Sequence, residues 1–166
     1  MKLVELQHLF SIDRGSKLDL NKMEECDPSE DAVVFVNRSA TNNGIVGWVK
    51  RIPAIDPYPT GSITVALGGS TLASFVQSKP FYTGQNIDVL TPRKKMTNEV
   101  KLYYCLSIEA NRFRYSTFGR EANRTLKTLL VPGLEFVPKW VHGATIRASD
   151  ALAHDLKALV TANLLL

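Results

Sequence analysis

The stretch that decides the fold is Val33-Val34-Phe35-Val36-Asn37-Arg38-Ser39-Ala40-Thr41-Asn42-Asn43-Gly44-Ile45-Val46-Gly47-Trp48-Val49. Its two ends are rich in β-branched and aromatic residues, which is typical of strands. The polar middle contains Asn43-Gly44, a dipeptide that readily takes the positive φ angles of tight turns. Because the connection is longer than a two-residue hairpin loop, the pattern predicts two strands joined by a protruding polar loop.

Further strands are predicted by similar short runs at 62–67, 73–76 and 86–90, which are separated by turn residues. Apolar residues at helical spacing after Thr97 predict a helix over about 97–113. Several short strands with few helices indicate an α+β fold, with a mixed, mostly antiparallel sheet, flanking helices and a C-terminal helix.

Four other segments complete the predicted organisation. Leucines and Phe10 at helical spacing predict a helical opening segment over 3–13, and Ser16 is a candidate cap for a short helix over 17–23. Asn123 is a candidate cap for a short helix, and Ser149 for a last one. We therefore predict one main domain over 1–147, followed by a C-terminal helix over 148–166.

The charge is distributed unevenly along the chain. Residues 1–31 hold 4 Lys/Arg against 8 Asp/Glu, whereas residues 32–147 hold 15 against 6. A basic centre favours a polyanionic partner, because each phosphate that a cation neutralises releases bound counterions. A solubilising surface is the alternative explanation.

Signals for catalysis, metals or membrane insertion are weak. Asp56-Pro57-Tyr58-Pro59 lacks a proline of the amino-methyltransferase tetrapeptide, and no glycine-rich cofactor loop follows an early strand. The three histidines and two cysteines are scattered, so we expect no metal, no cofactor and no disulfide framework.

No apolar run is long enough to span a bilayer, and the start lacks a signal peptide's cleavage region. We expect a cytoplasmic protein that is not an enzyme.

An ordered series of segments resembles the target recognition domains of type I restriction-modification specificity subunits and of related type IIB and IIG enzymes. Over roughly residues 6–138 the segments that carry the resemblance are Leu9-Phe10-Ser11-Ile12-Asp13-Arg14-Gly15, Val36-Asn37-Arg38-Ser39, Asn42-Asn43-Gly44-Ile45-Val46-Gly47, Gly61-Ser62-Ile63-Thr64-Val65-Ala66, Gln77-Ser78-Lys79-Pro80-Phe81-Tyr82, Asn86-Ile87-Asp88-Val89-Leu90, Phe113-Arg114-Tyr115, Gly119-Arg120 and Leu130-Val131-Pro132. The closing proline motif of the family is loosened here, and a complete specificity subunit has two such domains, whereas this chain has room for one.

The resemblance implies a non-catalytic module that reads a specific double-stranded DNA sequence for partner methyltransferase and restriction subunits or fused domains. The alternative, of a different class, is an assembly or inhibitor protein that keeps the recognition fold and binds those subunits rather than DNA. A third hypothesis is a recognition piece of a fused methyltransferase-nuclease.

The predicted DNA contacts fall into two groups. Arginine pairs with guanine and asparagine with adenine through two hydrogen bonds each, so the loop residues Arg38, Ser39, Asn42 and Asn43 are candidates for base or groove contacts. Turn chemistry is the alternative for Asn43. The remaining candidates, mostly phosphate contacts with a solvated surface charge as the alternative, are Arg14, Lys17, Lys79, Arg93, Lys94, Lys95, Arg112, Arg114, Tyr115, Arg120 and Arg124. A buried aromatic is the alternative for Tyr115 and also for Tyr82, whereas Phe81 and Trp48 are assigned to the core.

The last helix carries a stripe of leucines, Leu152, Leu156 and Leu159. In the resembled family, helices that leave the domain form a spacer that pairs with another copy. The stripe is therefore a candidate docking face, in a homodimer or against another subunit, with packing against its own domain as the alternative.

Overall fold

The computed structural model describes residues 2–115, 122–123 and 125–163, with only the backbone described at 155 and 158–163. The order of strands and α-helices is β1 (Leu3–Glu5), α1 (Leu6–Leu9), β2 (Phe10–Asp13), β3 (Ala32–Val36), β4 (Ile45–Lys50), β5 (Ile63–Ala66), β6 (Ser74–Val76), β7 (Phe81–Thr83), β8 (Ile87–Pro92), α2 (Asn98–Glu109), β9 (Leu130–Pro132) and α3 (Ala144–Asn163). Short 3-10 helices occur at Leu20–Lys22, Asn42–Gly44, Arg112–Tyr115, Leu134–Phe136 and Lys139–Val141.

The described strands form three small sheets. The largest has the order β2-β8-β5-β6 and is antiparallel throughout. The second has the order β4-β3-β7, in which β3 pairs antiparallel with β4 and parallel with β7. The third pairs β1 with β9, two strands that lie far apart in the sequence. The predicted α+β class with mostly antiparallel pairing is confirmed.

The two larger sheets pack on each other and are covered on their outer faces. Ile63 and Val65 of β5 turn one face of the largest sheet toward α2, where they meet Tyr104 and Ile108 in the main core. The opposite face contributes Val89 to a cluster with β3 and β7. The outer face of the second sheet is covered by Leu18, Leu20 and Met23 together with Ile52. Alternation of side chains along each strand assigns successive residues to these different layers.

Several predicted elements are found close to their expected positions. The strands predicted over 33–36, 45–49, 62–67, 73–76 and 86–90 are all present. The helix predicted after Thr97 is α2, and the Thr97 hydroxyl accepts a hydrogen bond from the Val100 amide at 3.4 Å. Phe81 is fully buried as assigned, whereas Trp48 is half-buried at the edge of the cluster around β3 and β7.

Four predicted helices were wrong in type or extent. Residues 3–13 form two strands around a four-residue helix, because Phe10–Asp13 gain backbone pairing with β8 while Leu6 and Phe10 still enter the core. Only a 3-10 turn forms within 17–23, and Asp19 caps it instead of Ser16. In the part of the chain that the structure describes, 122–123 and 125–129 contain no helix. The last helix begins at Ala144, so Ser149 lies inside it and the boundary drawn at 147/148 falls within α3.

Candidate nucleic-acid interface

The strand directions bring four connections to one end of the molecule. The segments 14–17, 37–44, 67–73 and 84–86 follow β2, β3, β5 and β7, and they lie where these strands end and their antiparallel neighbours begin. At this end a backbone hydrogen bond of 2.9 Å from Leu18 to Thr83 links the segment that follows β2 to β7, and one of the same length from Gly84 to Val36 continues the pairing of β7 with β3. We call these four segments, together with Arg112–Tyr115, the loop end.

Arg112–Tyr115 lies at the loop end because it closely follows α2, and the last turn of α2 contacts β6 near that end. The Glu109 carboxylate near the end of α2 accepts a hydrogen bond from the Ser74 amide at 3.0 Å. Arg112 then donates through Nε to the carbonyl oxygen of Thr71 at 2.8 Å. The residues after α2 are therefore fixed against the β5–β6 connection.

Arg38 is one of the exposed residues among the predicted base-reading ones. Its backbone amide donates to Asn37 Oδ1 at 2.9 Å, and its guanidinium makes no hydrogen bond or ion pair with the described part of the chain. The side chain lies beside Gly69, and a Cβ atom added there would be 3.5 Å from Arg38 Cβ. The base of the loop is rigid while its cation remains exposed.

The other polar residues of this loop maintain its backbone conformation. The Ser39 hydroxyl lies 3.1 Å from the Thr41 hydroxyl and accepts from the Thr41 amide at 3.2 Å. Asn42 Nδ2 donates to the carbonyl oxygen of Ile45 at 3.0 Å, and both Asn42 and Asn43 have positive φ. The Asn43 carbonyl accepts from Gln77 Nε2 at 2.9 Å. The turn-chemistry explanation therefore applies to this part of the loop, and it leaves the exposed Asn43 side chain accessible.

Arg14 lies at the loop end, where its guanidinium contacts other residues of the chain. Its two amino groups donate to the side-chain and backbone oxygens of Asn123 at 3.3 and 2.9 Å, and its Nε lies 3.9 Å from Asp88 Oδ1. Lys17 stands nearby in an exposed turn with φ of 54°, and its carbonyl accepts from Gln85 at 2.6 Å. Arg14 thus attaches 122–123 to the sheet, while the Lys17 ammonium is accessible.

Asp88 is a buried carboxyl group beneath these loops. Its side chain is 3% exposed, and Oδ1 has no hydrogen-bond partner in the described part of the chain. Burial raises the pKa of Asp88 above its ordinary value, and the positive charge of Arg14 opposes this shift. The sequence pattern gave no indication of this group.

Two shallow hollows meet at Gly69. One, of about 340 Å³, is lined by Asn37, Arg38, Ser39, Val46 and Gly69. The other, of about 460 Å³, is lined by Gly69, Ser70, Thr71, Arg112, Phe113 and Tyr115. The predicted residues Arg38, Ser39, Arg112 and Tyr115 thus share one surface, and Arg114 lies in the same 3-10 helix as Arg112.

Four other predicted phosphate contacts lie at the opposite end. Lys79 connects β6 to β7 and holds its ammonium 5.3 Å from the centre of the Trp48 ring. Arg93, Lys94 and Lys95 follow β8, and Arg93 Nε donates to the carbonyl oxygen of Gln7 at 2.9 Å. Since a six-residue strand such as β8 spans about 20 Å, this end is well separated from Arg38.

Acidic residues are concentrated at that same opposite end. Residues 24–26 run antiparallel to the end of β4, with the Cys26 amide donating to Trp48 O and the Lys50 amide to Glu24 O. Lys50 also forms an ion pair with Glu24. A hollow of about 310 Å³ beside them is lined by residues 29–33, Trp48, Arg51, Lys79 and Pro80. Lys79 therefore has acidic neighbours, whereas the described residues that line the two hollows at Gly69 include no acidic one.

Two features of the loop end had no functional role predicted from the sequence. The residues Gly68-Gly69-Ser70, which lie between two of the predicted strands, carried no functional prediction, yet Gly69 lines both hollows. Phe113 carried no separate role, although its side chain is 73% exposed between two arginines. The Arg-Phe-Arg-Tyr run directly after a helix was the available signal. Arg120 and Arg124 lie outside the described residues.

Three further observations concern metal binding, thiol chemistry and membrane insertion. They include no group of three or more His, Cys, Asp or Glu side chains placed to hold a metal ion. Cys105 is buried, which raises the pKa of its thiol to about 12 and keeps it protonated. Among the described helices, none combines the length and apolar character needed to cross a membrane.

Comparison with known proteins now identifies the family. A sequence model described as the type I restriction modification DNA specificity domain matches residues 1–132. The chain belongs to this family. The specificity subunit S.BcgI of a type II restriction enzyme from Heyndrickxia coagulans is 28% identical over 143 residues, which cover 81% of this chain and 39% of that protein.

Solved structures of specificity subunits share the fold. The S subunit of a type I restriction-modification system from M. genitalium superposes with a TM-score of 0.62 at 16% identity, covering 97% of this chain and 42% of that one. The HsdS subunit from Thermoanaerobacter tengcongensis gives 0.52 at 17% identity, covering 97% and 39%. The specificity domain described here therefore spans about two fifths of the length of the relatives it matches.

Proposed function

We propose that this specificity domain reads a double-stranded DNA sequence, without catalysis of its own, on behalf of methyltransferase and restriction subunits. The observation that carries the proposal is the loop end, where Arg38, Arg112 and Lys17 are exposed on a surface built from four strand connections. The acidic segment 24–31 lies at the other end, where Glu24 pairs with Lys50 and the acidic residues at 30–31 line a hollow together with Lys79.

Different residues of the loop end suit different parts of a duplex. Phosphate contacts position a protein on DNA, whereas base-edge contacts specify sequence. Arg38 protrudes from a loop whose backbone is held by Asn37, Ser39 and Asn42, so its guanidinium suits a bidentate contact with guanine. Lys17, Arg112 and Arg114 suit phosphates. Arg14 supports the surface by holding Asn123.

The cations of the opposite end are expected to contact DNA only under one condition. A duplex on the loop end reaches Lys79, Arg93, Lys94 and Lys95 only if it also runs along the side of the domain. They remain predicted phosphate contacts for that arrangement alone. Substituting one of them gives a matched test of which end holds the DNA.

Catalysis is assigned to partner subunits or fused domains. Base recognition itself needs no metal and no activated nucleophile. We place the domain with the DNA in the cytoplasm.

The exposed helix α3 suits a role in assembly. Leu152 and Leu156 are 60% and 52% exposed, and Ile146 on the same helix is 64% exposed. The side chain of Leu159 lies outside the described ones. The exposure of Leu152 and Leu156 favours docking over packing against its own domain, the alternative for this stripe. We propose that α3 docks on another subunit or a second copy, in addition to DNA recognition by the loop end.

Selection of binding sites from a random duplex pool tests the proposed function. We expect enrichment of one short sequence that the wild-type chain prefers over random duplex, with affinity that falls as salt rises. Arg38→Ala is expected to lose that preference, whereas Lys94→Ala, at the opposite end, is expected to keep it. Binding to a partner subunit with no enrichment of any duplex would support the assembly or inhibitor alternative instead.

A further inference from the structure

The side chain of Phe113 is the most exposed of the large apolar residues that the structure describes, at 73%. It lies in the 3-10 helix Arg112–Tyr115, whose first and last residues make side-chain hydrogen bonds. Arg112 Nε donates to Thr71 O at 2.8 Å, and the Tyr115 hydroxyl lies 2.6 Å from that of Thr125. The ring is therefore exposed beside a hollow on a basic surface, where it is available for contact with a ligand.

The hollow beside Phe113 combines an apolar surface with hydroxyl donors. Its lining includes the aromatic residues Phe113 and Tyr115 and the hydroxyl residues Ser70 and Thr71. Both hydroxyl side chains are half-buried, and within the described part of the chain neither hydroxyl has a hydrogen-bond partner. Arg112 and Arg114 flank the aromatic ring in sequence and supply the charge that attracts phosphates.

We propose that Phe113 reads a thymine of the target by contact with its C5-methyl group in the major groove. Thymine is the base whose major-groove edge offers a methyl group beside an acceptor oxygen, O4. The hollow matches this pair of features, because Phe113 supplies apolar contact and Ser70 or Thr71 supplies a hydroxyl donor. This inference rests on the proposed function, since it assigns a specificity role within the same surface.

The position of the hollow agrees with a base contact close to the one proposed for Arg38. Gly69 lines both hollows, so the base edge read by Arg38 and the one read by Phe113 lie on neighbouring parts of one surface. At Gly69, φ is +68°, and a Cβ atom would project toward Arg38. The glycine therefore permits the sharp turn that places both hollows side by side.

Replacement of thymine by deoxyuridine tests this contact, because it removes only the C5-methyl group. Each thymine of the selected duplex is replaced in turn, and the dissociation constant is measured for the wild-type chain and for Phe113→Ala. At one position we expect the wild-type chain to lose about fourfold in affinity, the contribution of one buried methyl group. Phe113→Ala is expected to bind the thymine and deoxyuridine duplexes equally at that position.

Phe136→Ala provides the matched control, because Phe136 is also exposed, at 40%, but lies in the 3-10 helix that follows β9. It is expected to retain the wild-type discrimination, and both variants are expected to keep the wild-type melting temperature. The inference is overturned if no thymine shows a loss that depends on Phe113, or if Phe113→Ala weakens all duplexes equally, as a wedge between base steps would. Absence of any preferred duplex for the wild-type chain would instead remove the proposed function itself.

Discussion

The Nε atom of Arg112 donates to the carbonyl oxygen of Thr71 at 2.8 Å, which fixes the segment after α2 to the β5–β6 connection. Because this bond uses Nε, the guanidinium is oriented by the protein before any ligand arrives. Oriented cations lose less conformational freedom on binding than mobile ones. Arg112 and its neighbours are therefore prepared for contact with a rigid polyanion.

Substitution of Arg112 by alanine is expected to weaken binding to all duplex sequences by a similar factor. Loss of one phosphate contact lowers the slope of log affinity against log salt by about one. Titrations at several salt concentrations measure this slope. Arg51→Ala removes an exposed arginine at the opposite end and is expected to leave the slope unchanged. An unchanged slope for Arg112→Ala would show that Arg112 does not contact a phosphate.

Stability is expected to depend on the protonation of Asp88. Burial raises the pKa of Asp88, so the folded chain holds this proton more tightly than the unfolded chain. The contribution of Asp88 to the free energy of unfolding is therefore full below the unfolded pKa of about 3.9. It falls as pH rises through the higher folded pKa.

Asp88→Asn removes this titration while keeping the shape of the side chain. Urea unfolding at several pH values, from acidic to neutral, measures the free energy of unfolding of both chains. We expect the variant to gain stability relative to the wild type as pH rises. The opposite trend would mean that attraction between Arg14 and the ionised carboxylate, 3.9 Å apart, outweighs the cost of burial.

Gly15 is expected to be intolerant of any side chain. Its φ is +63°, and a Cβ atom would lie 2.3 Å from Thr83 Oγ1 and 2.7 Å from the carbonyl oxygen of Ile87. Gly15→Ala is expected to lower the free energy of unfolding by about 2–4 kcal/mol. Gly47→Ala is the control, because a Cβ atom there meets nothing within 4 Å. Chemical denaturation measures the free energy of unfolding of both variants. Equal losses in the two variants would refute the prediction.

Charge placed on α3 is expected to separate assembly from DNA binding. Leu152→Glu with Leu156→Glu introduces two carboxylates on an exposed apolar face, which penalises any docked state. We expect weaker co-purification with a methyltransferase subunit, or loss of self-association in light scattering, with unchanged affinity for the selected duplex. Unchanged assembly in both measurements would exclude this face as a docking site.

Local sequence signals predicted much of the fold. The β-branched runs at 33–36 and 45–49 became β3 and β4, and Thr97 caps α2, because these elements follow from short-range preferences. The helical spacing within 3–13 predicted a helix that does not form at Phe10–Asp13. These residues pair with β8 instead, and a contact between residues so far apart in sequence leaves no local signal. The parallel pairing of β3 with β7 gave no local signal for the same reason.

In the candidate site too, local sequence signals predicted some features, whereas others depend on contacts between residues that are distant in sequence. Composition predicted basic loops, and the loop around Arg38 is where the Asn-Gly signal placed it. Strand direction then decides which loops share an end, and it sends Lys79 to the end opposite Arg38. Burial of Asp88 and exposure of Phe113 also depend on the packing of distant elements, so the linear order alone does not indicate them.

The most direct measurement compares the two ends of the domain with the same selected duplex. Binding is titrated for Arg38→Ala with Arg112→Ala at the loop end, and for Lys94→Ala with Lys95→Ala at the opposite end. The proposed interface predicts that the first pair loses the preference for the selected sequence while the second pair keeps it. Equal losses from both pairs, or a greater loss from the Lys94 and Lys95 pair, would contradict it.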